Sequence, residues 1–220
     1  MNIAIDGPSG AGKSSLAKAI AKELGIIYVD TGALYRTIGL YMKAHGVDPH
    51  DAAAVTAALP GVELSLAFEN GAQHIYLCGE DVGERIRTPE MSLYASAVSA
   101  IGTVRSFLLD TQRKVARATS VVMDGRDIGT VILPDAECKI FLTASPEARA
   151  RRRTDELLAK GMDVKYETVL EEMILRDRND STREIAPAVP AKDAIFLDNS
   201  DMNAEETLAV ALQIIENSRK

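Results

Sequence analysis

Residues 7–15 read "GPSGAGKSS" and separate a strand-like segment from a helix-like one. The strand-like segment is the apolar run "NIAI", and after the loop Leu16, Ile20 and Leu24 recur every four residues. Gly25 then predicts the end of a helix. The loop fits the pattern G-x-x-x-x-G-K-[ST], whose glycines allow backbone N–H groups to surround a phosphate. We therefore predict a phosphate-binding loop between a strand and a helix.

Several residues of this loop are predicted to bind a nucleoside triphosphate. Lys13 is expected to reach the β- and γ-phosphates, and Ser14 offers a hydroxyl ligand to Mg²⁺. The predicted triphosphate-binding residues are Gly7, Pro8, Ser9, Gly10, Ala11, Gly12, Lys13, Ser14 and Ser15.

Strand-like runs alternate with helical patterns along the chain. Because most of these runs are continuously apolar, we expect strands that are covered on both faces, hence an α/β fold with a parallel sheet wrapped by helices. Ligands of such sheets bind at the carboxyl ends of the strands. The five runs lie at 3–6, 26–30, 120–124, 139–143 and 194–198.

An aspartate closes four of these runs. Each one taken alone is explained as a cap for the next turn or helix. Four at the ligand-binding edge of one sheet also suggest a functional site, and both interpretations stay open at this point. The four residues are Asp6, Asp30, Asp124 and Asp198.

The segment at 62–79, "VELSLAFENGAQHIYLCG", interrupts the alternation of strands and helices. Its apolar residues alternate with polar ones on both sides of Asn70-Gly71, which predicts an antiparallel hairpin with a two-residue turn. Helical patterns flank it at about 33–45 and 92–117. We read about 61–95 as an inserted subdomain, and a third strand at 80–84 is left open.

Composition limits the function classes. The 220 residues are 46% hydrophobic, which suits one domain with insertions, and the net charge of -7 argues against binding to nucleic acid or to an anionic membrane. The chain lacks a signal-peptide pattern and a run of 18 apolar residues, so we expect a cytoplasmic protein. Cys78 and Cys138 are expected to be small core residues rather than metal ligands.

Arginines are concentrated in one later stretch of this acidic chain, where they could form a local cationic funnel. In the stretch "ARARRRTDELLAKG" at 148–161, three arginines recur at helical spacings of three and four, so two or three of them could project on one side of a helix. The arginines of the whole stretch are Arg149, Arg151, Arg152, Arg153, Arg176, Arg178 and Arg183.

The loop motif alone does not separate a kinase from a GTPase switch or a mechanical ATPase. The sequence has no Asn-Lys-x-Asp motif for guanine, and "SVVMDG" at 120–125 has no glutamate after its aspartate to activate water. Hydrolysis as the main activity is therefore disfavoured.

Five motifs in order resemble those of bacterial cytidylate kinases, from residue 2 to about 200. They are "GPSGAGKSS", "VDTGALYR" (29–36), "DGRDIGTV" (124–131), "KIFLTASPEARARRR" (139–153) and "RDRNDSTR" (176–183). The resemblance implies that MgATP and CMP or dCMP give ADP and CDP or dCDP in pyrimidine nucleotide metabolism. It also implies a monomeric P-loop NTPase fold with a five-stranded parallel sheet in the order 2-3-1-4-5.

The resemblance also implies one domain over 1–220 with three parts. The core would comprise 1–60 and 96–220, the acceptor-binding insert about 61–95, and the helical lid about 148–165. Closure of the lid would keep water from the transferred phosphoryl group.

Site residues follow from the same resemblance. Ser96, Arg105 and Asp127 would read the N4 amino group, N3 and O2 of cytosine, and Arg36 would bind the acceptor phosphate. The implied CMP-binding residues are Thr31, Tyr35, Arg36, Ser96, Arg105, Arg126, Asp127, Asp180 and Arg183. The implied catalytic residues are Lys13, Arg126, Arg152 and Arg176, with Ser14 as the metal ligand and Asp30 or Asp124 as candidates to hold the metal's waters.

The chemistry of the reaction agrees with the absence of a Ser/His/Asp or Cys/His constellation. A phosphate monoester has a second pKa of about 6 and needs little help from a general base. It does need positive charge and alignment, which arginine supplies through its planar fork.

Without the family resemblance, several of the predicted site residues have alternative, purely structural explanations. Arg36 could be a solvated helix residue, Asp127 could form only a turn or an ion pair, and "RDRNDSTRE" could be a charged helix end. Two rival functions also stay open. One is a P-loop kinase for another small acceptor, and the other is a nucleotide-binding switch or assembly module.

Overall fold

The computed structural model of the chain describes residues 1–69 and 71–218. Its contacts divide the chain into two units. The first unit is Met1–Leu24 with Val122–Lys220, and the second is Gly25–Val121. Within the described residues the strands are β1 (Asn2–Asp6), β2 (Ile27–Asp30), β3 (Leu64–Glu69), β4 (Ala72–Leu77), β5 (Glu80–Asp81), β6 (Val121–Asp124), β7 (Cys138–Thr143) and β8 (Ile195–Asp198).

Helices connect these strands. A 3₁₀ turn at Leu59–Gly61 and a π-helical turn at Ile128–Ile132 complete the described secondary structure. The helices are α1 (Lys13–Leu24), α2 (Thr31–Ala44), α3 (Ala52–Ala58), α4 (Pro89–Ser99), α5 (Gly102–Ala118), α6 (Pro146–Ala159), α7 (Tyr166–Thr182) and α8 (Ala204–Ser218).

The larger sheet has five parallel strands in the order β2-β6-β1-β7-β8. In β1 and β7, Ile3 lies opposite Cys138 and Asp6 opposite Phe141, and β7 pairs with β8 in the same direction. The predicted α/β fold with strand order 2-3-1-4-5 is confirmed, because β6, β7 and β8 are the third, fourth and fifth strands of this sheet along the chain.

In the first unit, α1 packs against β1 and α8. Its Leu16 and Ile20 are buried at the predicted spacing, and Gly25 follows with a φ of +64°, as expected of a glycine that ends a helix. The pair α6 and α7 has its own small core, formed by Ala150, Leu157, Val169 and Met173.

In the second unit, β3, β4 and β5 form an antiparallel sheet. Leu66 lies opposite Ile75, so the predicted hairpin is confirmed. The third strand that the sequence left open at 80–84 is present as β5, which pairs with β4. Asn70 of the predicted turn lies outside the described residues. The sheet and its neighbouring helices share a core that includes Leu34, Ile38, Met42, Ile75, Val98 and Leu108.

The helical pattern predicted at 92–117 is wrong as a single stretch. Ile101 has extended dihedral angles, and the two helices α4 and α5 meet there at a bend of 102°. The apolar periodicity on either side conceals this break. Helix α3 was not predicted either, although Asp51 caps it through the N–H groups of Ala53 and Ala54.

Cys78 corrects a second expectation. It is exposed rather than part of the core, whereas Cys138 is buried, and both are free thiols. The reason is the hairpin itself, because Leu77 is the last inward residue of β4 and Cys78 begins the following turn with a φ of +49°.

Across residues 1–69 and 71–218, no single helix is long and apolar enough to cross a membrane. The pair α4 and α5 passes that test only when the two are joined across their bend.

Gly7 starts the phosphate loop in a conformation that a side chain would oppose. Its φ is +144°, and a Cβ there would overlap the carbonyl oxygen of Leu142. We expect Gly7→Ala to lower the free energy of unfolding by about 3 kcal/mol, the sum of backbone strain and overpacking. Chemical denaturation measures this, with Gly25→Ala as the control.

Gly25 has positive φ as well, but a Cβ there meets nothing within 4 Å. The control should therefore lose only about 1 kcal/mol, the cost of the left-handed conformation alone. Equal losses in the two variants would contradict the close approach at Leu142.

Candidate active site

The phosphate loop is held by donors on its carbonyl oxygens. Lys13 Nζ donates to Pro8 O at 2.7 Å, Arg149 Nη1 donates to Ser9 O at 2.9 Å, and Asn199 Nδ2 donates to Ala11 O at 3.1 Å. Carbonyl oxygens repel a phosphate, so pairing them with donors suits an anion-binding loop. The predicted residues 7–15 therefore form the loop after β1 and the first residues of α1.

Lys13 is buried, with 6% of its surface exposed. Burial lowers the pKa of its ammonium well below the usual range, and the guanidinium groups of Arg126 and Arg176 lower it further. Asp124 and Asp6 act in the opposite direction. The structure thus places two of the three predicted catalytic arginines, Arg126 and Arg176, within electrostatic range of Lys13. Such a site is suited to a polyanion, whose charge relieves their repulsion.

Ser14 and Asp124 form an arrangement that suits Mg²⁺. Ser14 Oγ donates to Asp124 Oδ2 at 2.8 Å, which places two oxygen ligands side by side. Mg²⁺ commonly takes only one or two protein oxygens and completes its shell with water and phosphate. The described residues contain no cluster of three or more His, Cys, Asp or Glu able to hold a metal. The pair fits a magnesium ion that is bound together with a nucleotide.

The other three strand-end aspartates cap turns or helices. Asp30 accepts a hydrogen bond from Ala33 N at 2.8 Å at the start of α2, and Asp198 accepts one from Ser200 N. Asp6 accepts two, from Ile128 N and Gly129 N. Of the two candidates for the metal's waters, Asp124 therefore fits better than Asp30.

Two predicted acceptor residues of the first unit meet in an ion pair. Arg126 Nε donates to Asp180 Oδ2 at 3.0 Å, although 54 residues separate them, and both side chains are largely buried. Asp127 follows with 3% exposure at the start of the π-helical turn. Arg183 Nε donates to Ala186 O at 2.6 Å beyond the end of α7.

The lid arginines have different environments. Arg149 is 3% exposed, and its three nitrogens bind Ala144 O, Ser9 O and the Asp177 carboxylate. Among the described residues, Arg153 forms an ion pair only with Glu156, one turn further along α6. Arg149 therefore packs behind the phosphate loop. Its position differs from the one expected of a lid arginine that closes on a nucleotide, such as Arg152.

Arg152 is held through both terminal nitrogens. Its Nη1 donates to Asn199 Oδ1 at 3.2 Å and its Nη2 to Asn199 O at 2.6 Å, close to the carbonyls of Ser200 and Met202. These acceptors are neutral, so a phosphate can compete with them for the guanidinium.

The remaining predicted acceptor residues lie in the second unit. Thr31 and Tyr35 are buried on α2, and the Arg105 guanidinium carbon lies 5.5 Å from the centre of the Tyr35 ring. Arg105 Nη1 also donates to Ser99 O at 3.1 Å. Ser96 is half-buried on α4 in the same unit. The structure therefore brings Tyr35 and Arg105 together.

Arg36 has one firm partner and one open donor. Its Nη2 donates to Asp30 Oδ2 at 2.8 Å, while its buried Nε has no hydrogen-bond partner within the described part of the chain. A buried N–H without a partner is costly, so it favours an anion at this position.

Sequence reasoning missed Gln73 and Asn199. Gln73 Oε1 accepts from Asp30 N at 2.9 Å and its Nε2 donates to Asp30 O, which fixes the residue that holds Arg36. Nothing in the alternating pattern of β4 distinguishes Gln73. Asn199 follows Asp198 directly, so the strand-end rule could have included it.

A glycine loop after the first strand of a parallel sheet, with a buried lysine and converging arginines, defines a P-loop enzyme that acts on nucleotides. A family model described as "Cytidylate kinase" matches residues 3–217. The chain belongs to the cytidylate kinase family.

Individual relatives agree with this family. The chain is 49% identical over 214 residues to the cytidylate kinase of Caldicellulosiruptor bescii, covering 97% of this chain and 95% of that protein. It is 47% identical over 218 residues to that of Thermosipho melanesiensis, covering 99% and 98%. A solved structure from Eubacterium ventriosum, described as an uncharacterized protein, has a TM-score of 0.57 at 15% identity over 99% and 98% of the two chains, which supports the fold alone.

The different environments of the lid arginines predict different costs of removing them. Arg149→Met leaves the partly buried Asp177 carboxylate without its cation and should lower the free energy of unfolding by about 3 kcal/mol. Arg153→Met removes only a surface pair and should change it by less than about 0.5 kcal/mol. Denaturant titration of both variants gives the comparison. A small loss at Arg149 would contradict its role as a packing residue.

Proposed function

We propose that the protein transfers the γ-phosphate of ATP to CMP or dCMP and releases ADP with CDP or dCDP, a step in pyrimidine nucleotide metabolism. Membership of the cytidylate kinase family makes the chain a (d)CMP kinase, and the phosphate loop with its buried lysine supports ATP as the donor. The observation that carries the proposal is that buried Lys13 donates to Pro8 O in the phosphate loop and lies within electrostatic range of Arg126 and Arg176. Transfer between two polyanions requires such a group of positive charges.

On the donor side, the loop residues 7–15 bind the triphosphate, and Lys13 stabilises charge that moves between the β- and γ-phosphates. Ser14 and Asp124 would hold Mg²⁺, Ser14 as a ligand and Asp124 directly or through water. The ion would supply positive charge to the triphosphate. Arg152 and Arg176 add positive charge around the transferred group.

On the acceptor side, Arg36 and Arg126 bind the CMP phosphate. Ser96, Arg105 and Asp127 read cytosine through a hydroxyl, a guanidinium and a carboxylate, which complement its N4 donor and its N3 and O2 acceptors. Thr31, Tyr35, Asp180 and Arg183 complete the acceptor site. The Arg126–Asp180 ion pair supports this assignment, because the carboxylate fixes the arginine and leaves other donors of the guanidinium for the phosphate.

The acceptor needs no general base. A phosphate monoester with a second pKa of about 6 is mostly ionised at neutral pH. The protein therefore has to align the two substrates and neutralise their phosphate charge, and it does not have to remove a proton. The lid at about 148–165 keeps water from the phosphoryl group, since an open site would hydrolyse ATP. The borders of core, insert and lid stay predictions, as do the monomeric state, the cytoplasmic location and the absence of nucleic-acid and membrane partners.

We expect ADP formation from MgATP with CMP or dCMP, and little with AMP or GMP. The measurement is a coupled ADP assay with CMP, dCMP, UMP, AMP and GMP at equal concentrations. A sample without acceptor and one with excess EDTA are the controls. Strong turnover with another nucleotide would favour the rival kinase, and ADP formation without acceptor would favour a hydrolase. Nucleotide binding without any turnover would favour a switch module.

Arg36→Ala is expected to raise KM for CMP by about 100-fold, because the acceptor phosphate loses a charged partner in a largely buried site. KM for ATP should stay within about threefold. Steady-state kinetics with each substrate varied separately measures both constants. Arg85→Ala is the matched control, since the ion-pair partner of Arg85 in the described part of the chain is exposed Glu80 on the small sheet. Equal loss for both substrates would remove Arg36 from the acceptor site.

A further inference from the structure

Asp6 is a buried carboxylate that the proposed reaction does not use. It is 4% exposed, and both of its oxygens are occupied: Oδ1 accepts from Ile128 N and Oδ2 accepts from Gly129 N, each at 2.7 Å. A carboxylate engaged in this way cannot act as a base toward a substrate. Its role must therefore lie in the segment that it binds.

That segment carries acceptor residues. Arg126 and Asp127 directly precede the two amides, and Gly125 N donates to Ile5 O at 3.0 Å. The last two residues of β1 thus hold both ends of the 125–129 turn, and the next residue along the chain, Gly7, begins the phosphate loop. The donor loop and the acceptor turn are attached to the same end of one strand.

The phosphate loop does not depend on Asp6 for its own shape. Its carbonyls are held by Lys13, Arg149 and Asn199, which lie on α1, on α6 and after β8. Loss of the Asp6 contacts should therefore disturb the acceptor turn more than the donor loop.

We propose that Asp6 is a positioning residue that fixes the Arg126–Asp127 turn to the end of β1 and so sets the acceptor phosphate and base contacts relative to the phosphate loop. This role rests on the proposed function. The carboxylate acts through Arg126 and Asp127 and touches no substrate.

The ionisation of Asp6 supplies a readout that a purely structural residue lacks. Burial raises its pKa to about 6, with a smaller contribution from Asp127, while the two backbone N–H groups and Lys13 oppose the rise. Lys139 also passes beside Gly129, but its ammonium binds Asp193. Above pH 6 the carboxylate accepts both N–H groups, whereas below it a proton on one oxygen faces an N–H donor.

Asp6→Asn tests the proposal at constant size, because the amide keeps one acceptor and presents NH₂ to the other backbone N–H. At pH 7.5 we expect KM for CMP to rise about tenfold, the loss of one hydrogen bond to a charged group, with KM for ATP within about twofold. Asp51→Asn is the matched control. Asp51 also accepts two consecutive backbone N–H groups, but at the exposed start of α3, and its replacement should leave both constants unchanged.

The ratio of KM for CMP between variant and wild type should fall toward one as the pH drops below 6. Acid protonates Asp6 in the wild type, which removes the same hydrogen bond that the substitution removes at every pH. The titration of CMP itself affects both proteins equally and cancels in the ratio. A ratio near one at pH 7.5, a ratio independent of pH, or an equal rise for ATP and CMP would each overturn the proposal.

If the Asp6→Asn variant does not fold, native-state hydrogen exchange of the wild-type protein tests the proposal instead. The amides of Ile128 and Gly129 should exchange far more slowly at pH 7.5 than unprotected amides, and exchange at the unprotected rate would overturn the proposal. Turnover of CMP by the wild type is measured first. Its absence would reject the proposed function, whereas the exchange experiment would still test the contact at Asp6.

Discussion

The burial of Lys13 beside two further positive charges is the constraint on which the rest of the site depends. Burial disfavours the charged form of Lys13 most, and the guanidinium groups of Arg126 and Arg176 disfavour it further. The protein tolerates this because carboxylates surround the cluster. Asp124 and Asp6 act on Lys13, and Asp180 binds Arg126. Nucleotide phosphates relieve the same repulsion, so an acidic chain with a net charge of -7 can still bind polyanions.

The carboxylates do more than balance charge, because each one also fixes geometry. Asp124 accepts from Ser14, Asp30 both caps α2 and binds Arg36, and Asp6 binds the 125–129 turn. The strand-end aspartates therefore join the two interpretations that the sequence left open. They cap local structure as isolated residues do, and for Asp6, Asp30 and Asp124 that local structure carries the groups that we propose to bind substrate or metal.

The parts of the fold that depend on local pattern could be predicted. Continuous apolar runs predicted every strand of the large sheet, and the alternation around Leu66 and Ile75 predicted the hairpin register. The break at Ile101 could not be predicted, because apolar residues continue on both sides of it. The contact of Arg149 with Ser9 joins residues 140 positions apart, and Gln73 reaches Asp30 across 43. Only the tertiary fold brings such partners together.

Counting donors distinguishes arginines that can bind phosphate from those that cannot. A guanidinium has five N–H donors on three nitrogens. All three nitrogens of Arg149 are engaged by protein acceptors, one of them a carboxylate, so binding a phosphate there would break the packing of α6 against the loop.

Arg36 gives one nitrogen to Asp30 and keeps its buried Nε without a partner in the described residues. Arg152 is intermediate, since its partners Asn199, Ser200 and Met202 are neutral carbonyl oxygens that a charged phosphate can displace. The run of arginines on α6 is therefore functionally mixed, with one residue that supports the phosphate loop and another that can exchange its carbonyl partners for a nucleotide.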